Sequence, residues 1–378
     1  MKYRLEDICS FRKEKVAVSS LTLENYISTE NMLPNKAGIT KATSLPKCNT
    51  TQRFECGDVL VSNIRPYFKK IWKARFNGGC SNDVLVFSAK EGFDTEFLYY
   101  VLSDDSFFEY SMATSKGTKM PRGDKKSIMN YEVPGFDMNI QIKIASILKS
   151  IDDKIELNNK INNNLEQQAK AIFSNEFLTL ETLPDGWKQA SLIDVADYLN
   201  GLAMQKYRPS ADETGIQVLK IKELRQGCCD VNSELCSPSI KSEYIIHDGD
   251  VIFSWSGSLL VDFWCGGICG LNQHLFKVTS NKYNKWFYYA WTKHHLDRFI
   301  AVAADKATTM GHIKRDELSK AEVLIPNESD YKRIETLLQP IYDLIIANRI
   351  ENKKFSEIRD ALLPKLMSGE LDVSNIEI

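Results

Sequence analysis

Long apolar runs are missing from this sequence. None of its apolar segments approaches the ~20 residues that a helix needs to cross a bilayer. Residues 1–7 also lack the apolar core of a secretory signal peptide. We therefore expect a cytoplasmic protein that does not contact a membrane.

Sequence motifs of common enzymes are absent as well. There is no phosphate-binding G-x-x-x-x-G-K-[ST] loop, no dinucleotide-binding glycine fingerprint after a strand, and no H-E-x-x-H. The Asn/Asp-Pro-Pro-aromatic motif of amino-methyltransferases is also lacking. These absences predict a chain that is not an enzyme and that holds no cofactor of its own.

Paired cysteines are lacking too. The nine cysteines are an odd number and include no C-x-x-C pair. Zinc sites commonly use such pairs, and disulfide frameworks usually use an even number of cysteines. We expect no metal site, a reducing compartment, and cysteines that are buried as free thiols.

The chain has no large excess of charge of either sign, since 48 basic and 50 acidic residues give a net charge of −2. Residues 1–138 hold 20 basic and 17 acidic groups, giving +3, whereas residues 181–328 hold 16 and 19, giving −3. The whole-chain charge argues weakly against a nucleic-acid binder, but it says little about a local patch.

What the sequence does contain is an internal duplication with a period of about 190 residues. The segment at residues 57–62, Gly-Asp-Val-Leu-Val-Ser, returns at residues 249–254 as Gly-Asp-Val-Ile-Phe-Ser. Leu98-Tyr99-Tyr100 likewise returns as residues 287–289, Phe-Tyr-Tyr. A unit of this length exceeds the repeats of solenoids and indicates a duplicated globular domain plus a helix. We predict domains at residues 1–138 and 181–328, each followed by a helical segment, at residues 139–180 and 329–378.

The two globular domains share one predicted order of elements. In both, two β-rich segments precede a short helix, and a polar basic loop precedes the last strand. The first domain has strands at 58–62, 84–88 and 131–135, a helix at 94–102 and the loop at 117–126. The second has strands at 250–254, 274–278 and 321–326, a helix at 284–294 and the loop at 306–315.

Both helical segments show a heptad pattern of apolar residues. One seam contains Ile144, Ile151, Asn158, Leu165 and Ile172 with Leu148, Ile155, Asn162 and Ala169. The other contains Ile334, Ile341, Asn348, Phe355 and Leu362 with Leu338, Ile345, Asn352, Arg359 and Leu366. The predicted fold class is therefore α+β: two duplicated mixed α/β domains separated by two long helices that form an antiparallel intramolecular coiled coil.

The asparagines of the two seams occupy matching positions. Asn158 and Asn162 in the first helix correspond to Asn348 and Asn352 in the second. Asparagine in such a seam costs stability but can set register through side-chain hydrogen bonds. We predict this role here; the alternative is that the helices pack loosely and the asparagines face water.

Basic residues interleaved with aromatics suggest contacts with nucleic acid, because cations neutralise phosphates and rings contact bases. A solvated surface is the alternative for any isolated run, but both domains carry a basic loop at equivalent positions. The candidates for DNA contact are Arg65, Lys69, Lys70, Lys116, Lys119 and Arg122 in the first domain, and Lys206, Arg208, Lys306, His312, Lys314 and Arg315 in the second.

Three segments resemble the specificity subunits of type I restriction–modification enzymes. Residues 183–187, Leu-Pro-Asp-Gly-Trp, look like the start of a target recognition domain in that family, and residues 144–173 look like its central conserved helix. Residues 362–373, Leu-Leu-Pro-Lys-Leu-Met-Ser-Gly-Glu-Leu-Asp-Val, are similar to its C-terminus and are the most specific signal. The first domain departs from the pattern because it lacks the Pro-x-Gly-Trp opening.

The resemblance implies a non-catalytic reader of double-stranded DNA. Each domain would read one half of a split target, and the helix pair would set the spacing between the halves. Methyltransferase subunits carrying S-adenosylmethionine would dock on the chain, and a restriction subunit that uses ATP and magnesium would join them. We expect the docking surface to be the exposed face of the helices and residues 362–371, because the apolar residues there, Leu363, Leu366, Met367 and Leu371, exceed what a two-helix seam needs. Two other functions remain open from the residues alone: a coiled-coil scaffold that joins two protein partners without binding DNA, and a self-sufficient DNA methyltransferase.

Overall fold

The structure is a computed structural model that describes residues 2–117, 119–305, 313 and 315–377. The chain divides into two compact units, of which unit 1 comprises Met1–Asp153 with Ser356–Ile378 and unit 2 comprises Lys154–Phe355. Each unit therefore contains a globular part and segments of both long helices. Among the described residues, no helix is both long and apolar enough to cross a membrane.

Within its described residues, unit 1 contains ten short strands, four short α-helices, the beginning of one long helix and the end of the other. Its strands are β1 (Lys2–Arg4), β2 (Cys9–Phe11), β3 (Lys15–Ala17), β4 (Tyr26–Ile27), β5 (Thr50–Phe54), β6 (Val59–Ser62), β7 (Ile71–Lys73), β8 (Gly78–Cys80), β9 (Val84–Ala89) and β10 (Glu132–Pro134). Its helices are α1 (Leu5–Ile8), α2 (Thr95–Ser103), α3 (Asp105–Ala113), α4 (Lys125–Met129) and the beginning of α5 (Met138–Phe173).

Unit 2 repeats this series. Its strands are β11 (Lys188–Ser191), β12 (Asp197–Asn200), β13 (Ile216–Leu219), β14 (Leu235–Cys236), β15 (Ile245–Ile246), β16 (Val251–Ser254), β17 (Leu260–Phe263), β18 (Cys269–Leu271), β19 (Leu275–Thr279) and β20 (Glu322–Ile325). Its helices are α6 (Leu192–Val195), α7 (Ile221–Gln226), α8 (Lys285–His294), α9 (Leu296–Asp305), α10 (Arg315–Ser319) and the larger part of α11 (Glu328–Ser368).

The sheets of the two units correspond. An antiparallel sheet has the order β2-β9-β6-β7 in unit 1 and β12-β19-β16-β17 in unit 2. A two-stranded sheet pairs the first strand with the last in each unit, β1 with β10 and β11 with β20. Each unit also has a second four-stranded sheet, in which three strands correspond, β5-β8-β4 in unit 1 and β15-β18-β13 in unit 2. The fourth strand lies at opposite edges, since β3 pairs with β5 whereas β14 pairs with β13. The duplication predicted from sequence is therefore confirmed as a duplication of topology.

The elements begin and end where local chemistry directs. The Asp94 side chain accepts a hydrogen bond from the Phe97 amide at 2.8 Å and caps α2, the helix expected from residue 94. All four residues of β6 and all four of β16 are buried, as their apolar sequence indicates. The predicted strands and short helices agree with the structure within about a residue or two at each end.

Aromatic side chains fill both cores. The core of unit 1 includes the fully buried rings of Phe87, Phe97 and Phe107. That of unit 2 is built around Trp286, Phe287 and Phe299. Burial of such rings contributes most of the hydrophobic stabilisation in domains of this size. The expectation that the cysteines are buried is confirmed for five of them, whereas Cys229 is half-buried and Cys48, Cys56 and Cys228 are exposed free thiols.

The two long helices pair antiparallel, as predicted. In unit 2 the pairing matches Asn162 with Asn348, whose side chains are hydrogen-bonded at 2.9 Å. About one helical turn away, four residues along each helix, the Asn158 amide donates to Asn352 Oδ1 at 2.9 Å. Asn158, Asn162 and Asn348 are buried, so the alternative that these asparagines face water is wrong. In unit 1, Arg359 donates to Asp152 at 2.8 Å in the same antiparallel sense.

Two details of the sequence interpretation change. The polar loop expected at residues 117–126 ends earlier, because Asp124 caps α4 by accepting from the Ser127 amide at 3.0 Å. The matching loop at 306–315 lies outside the described residues except for Ile313 and Arg315. The division into four segments at residues 138, 180 and 328 stays a prediction.

Candidate nucleic-acid interface

The turn between β6 and β7, residues 63–70, forms one side of the candidate interface in unit 1. We call it the aromatic turn. Its centre is a short 3₁₀ helix, Pro66–Phe68, with proline at the first position, where a missing amide hydrogen costs least. Tyr67 and Phe68 project from it with 49% and 38% of their surface exposed. The turn that joins two largely buried strands, β6 and β7, therefore presents aromatic rings to solvent.

The basic loop before α4 lies directly against the aromatic turn. The Arg65 amide donates to the Pro121 carbonyl at 2.8 Å, and the Gly123 amide donates to the Asn63 carbonyl at 3.2 Å. A side chain at position 123 would clash, since its Cβ would lie 2.7 Å from the Ile128 side chain. The structure therefore brings together the two basic clusters that the sequence showed as separate runs.

The three cations of the basic loop, Lys116, Lys119 and Arg122, differ in their contacts with the rest of the unit. Lys119 is exposed, and Lys116 and Arg122 pair their amides and carbonyls with each other at 2.9–3.0 Å. Lys116 also bonds Asp124 at 2.6 Å, and Arg122 lies 3.2 Å from Asp83. These ion pairs are exposed, so they are weak and exchangeable for phosphate contacts.

Lys69 and Lys70 brace the turn. The Lys69 and Lys36 ammonium groups lie 2.7 and 2.9 Å from the two carboxylate oxygens of Asp105. Burial raises the pKa of Asp105, but the hydrogen bonds from both lysines outweigh this effect and lower it. Lys70 donates to the Thr29 carbonyl at 2.6 Å, and burial lowers its pKa.

Trp72, which follows the turn in sequence, does not belong to this surface. Its ring is 9% exposed and packs in the core against Phe54, with ring centroids 5.9 Å apart. Lys36 and Asp105, by contrast, reach the turn from elsewhere in the chain, and the sequence analysis missed both. The only local signal was the turn-forming segment Pro-Asn-Lys-Ala-Gly at residues 34–38.

The residues of unit 2 that are candidates for DNA contact are arranged differently from those of unit 1. Lys206 and Arg208 are exposed, and Arg208 shares Glu234 with Lys220 as an ion-pair partner. Arg315 donates to the Tyr198 carbonyl at 2.9 Å, which ties it to β12. Lys306, His312 and Lys314 lie outside the described residues.

The turn after β16 in unit 2 is the counterpart of the aromatic turn. Its first residue, Trp255, donates through Nε1 to the Asn200 side chain at 3.1 Å. The Ile313 amide donates to the Trp255 carbonyl at 3.1 Å. This bond corresponds to the one between Gly123 and Asn63 in unit 1. In both units, therefore, the segment before the short helix α4 or α10 contacts the turn that follows β6 or β16.

The opening segment of unit 2 also acquires a physical meaning. Trp187 is buried and donates through Nε1 to the Asp330 carboxylate on α11 at 2.9 Å. Gly186 has a φ of +78°, which a turn at this point requires. The Leu-Pro-Asp-Gly-Trp segment therefore attaches the start of the unit to the long helix, and it has a structural role.

Two segments of the chain, residues 1–167 and 184–358, match the model of the type I restriction modification DNA specificity domain. The chain is 27% identical over 312 residues to the type I restriction enzyme MjaIX specificity subunit of Methanocaldococcus jannaschii, covering 76% of this chain and 71% of that protein. It is 21% identical to the HindI specificity subunit of Haemophilus influenzae, covering 98% and 99% of the two chains.

A solved structure shows the same fold. The crystal structure of a type I restriction–modification S subunit from M. genitalium matches with a TM-score of 0.59 and 15% identity, covering 97% of this chain and 96% of that one. Duplicated topology and two domain matches together define a class of proteins with two DNA-recognition units. The chain belongs to the family of type I restriction–modification DNA specificity subunits.

Membership in this family decides between the functions left open by the residues. Specificity subunits recognise the DNA target and assemble with other subunits, and they are the non-catalytic component of their systems. The chain is therefore a DNA-recognition protein. A DNA-independent scaffold and a self-sufficient methyltransferase are both set aside.

Proposed function

We propose that the two units read the two different halves of one asymmetric, bipartite double-stranded DNA target. The observation that carries this proposal is the contrast between equal topology and unequal turns. The turn between β6 and β7 has eight residues and exposes two rings, whereas its counterpart between β16 and β17 has five, residues 255–259. Equal scaffolds with unlike loops present different chemistry to base edges, which are what specify sequence.

The proposed partners are methyltransferase subunits that methylate adenine and a restriction subunit that translocates DNA, acting in the cytoplasm. S-adenosylmethionine, ATP and magnesium would be held by those partners and not by this chain. Support comes from exposed apolar residues on the long helices, such as Leu157 and Ile161, which are 49% and 37% exposed. Exposed apolar side chains of this kind commonly mark a protein interface.

The test is co-expression of the chain with its methyltransferase subunit, followed by sequencing of methylated adenines in the host DNA. A single bipartite motif is expected, and none is expected from either protein alone. Exchanging residues 181–328 for those of a relative is expected to change one half of the motif only. A chimaera that alters both halves, or an isolated chain that methylates DNA, would contradict the proposal.

A further inference from the structure

The aromatic turn presents two large, partly exposed rings to solvent, and the Lys70 ammonium lies 5.8 Å from the centroid of the Phe68 ring. Tyr67 and Phe68 lie side by side, with ring centroids 4.7 Å apart and planes tilted by 51°. The corresponding turn of unit 2 is three residues shorter. Large exposed rings are costly to hydrate, so a pair at one tip suggests a binding surface.

The backbone around these rings is strained. Among the described residues, only four that are not glycine have a positive φ, and all four lie here: Asn35 (56°), Lys36 (61°), Arg65 (51°) and Lys69 (49°). The Asn35 and Lys36 amides donate to the Phe68 and Lys69 carbonyls at 2.8 and 2.9 Å, so the two strained segments hold each other. Strain concentrated in this way is typical of functional positions.

Two buried polar atoms of the same turn have no hydrogen-bond partner among the residues that the structure describes. They are Oδ1 of Asn63 and Nε of Arg65. Buried polar atoms are nearly always satisfied in folded proteins, and exceptions need an explanation. Both atoms belong to the turn that presents the rings.

The rings are surrounded by cations. Arg65 and Lys69 flank them in sequence, and Lys116, Lys119 and Arg122 lie on the adjoining loop. The acidic groups that contact this cluster are Asp83, Asp105 and Asp124, so the positive charges are in excess. An apolar centre with a cationic rim matches a DNA groove, where phosphates lie at the edges and bases lie inside.

Only one base offers an apolar group on its major-groove edge, and that group is the C5-methyl of thymine. We propose that Tyr67 and Phe68 contact thymine methyl groups in the half-site read by unit 1, and so help to specify A·T pairs there. This inference rests on the proposed function, since it assigns the chemistry by which one unit reads its half.

The experiment measures binding of the assembled complex of this chain with its methyltransferase subunit to duplexes containing the identified target. Each thymine of the target is replaced in turn by uracil, which keeps the base pair and removes only the methyl group. We expect binding to weaken about fourfold at one or more thymines of a single half-site, since burying one methyl stabilises by roughly 0.8 kcal/mol.

Three variants separate the ring contact from other effects. Tyr67→Ala with Phe68→Ala is expected to bind thymine and uracil duplexes equally, whereas Tyr67→Phe is expected to keep the discrimination. The matched control is Tyr207→Ala, because Tyr207 is an exposed aromatic residue of unit 2 that also lies between basic neighbours. It is expected to leave uracil sensitivity of the first half-site unchanged.

The outcomes are distinguishable. Three results would overturn the thymine contact and leave the proposed function intact. The first is that the uracil substitutions leave binding by the wild-type complex unchanged, and the second is that the first half-site contains no A·T pair. The third is that the double alanine variant discriminates thymine from uracil as well as the wild-type complex does. An aromatic wedge between base steps would give the first of these results. A wild-type complex without sequence-specific binding would remove the proposed function and this inference together.

Discussion

Arg349 is the cation on which two carboxylates of unit 2 depend. Its guanidinium lies 2.7 Å from Asp262 on β17 and 2.9 Å from Glu166 on α5. Burial lowers the pKa of Arg349, but Asp262 and Glu166 outweigh this effect and raise it. The residue therefore stays charged and connects three elements, namely the sheet and both long helices.

We expect Arg349→Met to destabilise the protein by about 2–3 kcal/mol, because it leaves two partly buried carboxylates without their cation. Lys149→Met is the control on the other long helix. Lys149 also pairs with a carboxylate, that of Asp153, but these two side chains are 44% and 54% exposed, against 25% for both Arg349 and Asp262. The control should cost less than ~1 kcal/mol. Urea unfolding of both variants measures the difference, and equal losses would show that burial does not matter here.

At the scale of elements, the asparagines of the long helices show how a polar seam is satisfied. Asn348 Nδ2 donates to Asn162 Oδ1, and Asn162 Nδ2 reaches the Ile345 carbonyl at 3.4 Å. Both side chains are buried, so removing Asn348 takes the donor from Asn162 Oδ1, and removing Asn162 takes the acceptor from Asn348 Nδ2. Their part in setting register stays a prediction.

A double-mutant cycle tests this pair. Asn162→Leu and Asn348→Leu should each destabilise by about 1–3 kcal/mol, since each removes the hydrogen-bond partner of one buried polar atom in the remaining asparagine. The double variant should cost less than the sum, because replacing both partners by apolar groups is close to neutral. Denaturant unfolding of the four proteins gives the coupling energy. Additive losses would mean that the two asparagines do not depend on each other.

The C-terminal end of α11 belongs to the core of unit 1, which corrects one expectation from the sequence. Leu363, Leu366 and Met367 continue past the main heptads and looked like an exposed docking patch for another subunit. They are 4%, 2% and 7% exposed and pack in the core that contains Ile144. Loss of this end should therefore unfold unit 1 before it affects assembly.

Leu366→Ala is expected to lower the stability of unit 1 by about 2–5 kcal/mol through the cavity that it leaves. Leu371→Ala is the control, because Leu371 lies close by in sequence but is 38% exposed. Amide hydrogen exchange should show reduced protection in β6 and β9 for the first variant only. Protection equal to wild type in Leu366→Ala would restore the docking interpretation.

Some features of the fold and of the candidate interface were predictable from the sequence, and others were not. Buried apolar strands were predictable because they are short β-rich runs bounded by turn residues, and seam positions were predictable because they recur every seven residues. The aromatic turn was visible only as a run of basic and aromatic residues. Its shape depends on Lys36 and Asp105, which reach it from other parts of the chain, and on Gly123, which permits close approach of the basic loop. Pairings at such separations leave no local period.

At the scale of the whole molecule, charge is distributed in patches that the net charge of −2 conceals. Half-buried cations on the aromatic turn and exposed cations on its neighbouring loop form one such patch in unit 1. DNA binding by the assembled complex should therefore weaken steeply with salt, because each neutralised phosphate releases counterions. Lys119 and Arg122 contribute two of these charges.

We expect Lys119→Gln with Arg122→Gln to flatten the plot of log K against log salt by about 1.8, or ~0.9 for each phosphate that is no longer neutralised. Lys2→Gln with Lys149→Gln removes the same charge from unit 1 at exposed positions that pair with Glu132 and Asp153. That control should leave the slope unchanged, since long-range effects of net charge are screened beyond ~8–10 Å. Titrations from low to moderate salt with target and random duplexes separate the two possibilities. Equal weakening of binding to both duplexes indicates phosphate contacts, whereas weakening confined to the target duplex indicates a base contact. An unchanged slope together with unchanged affinity would place this loop away from the DNA.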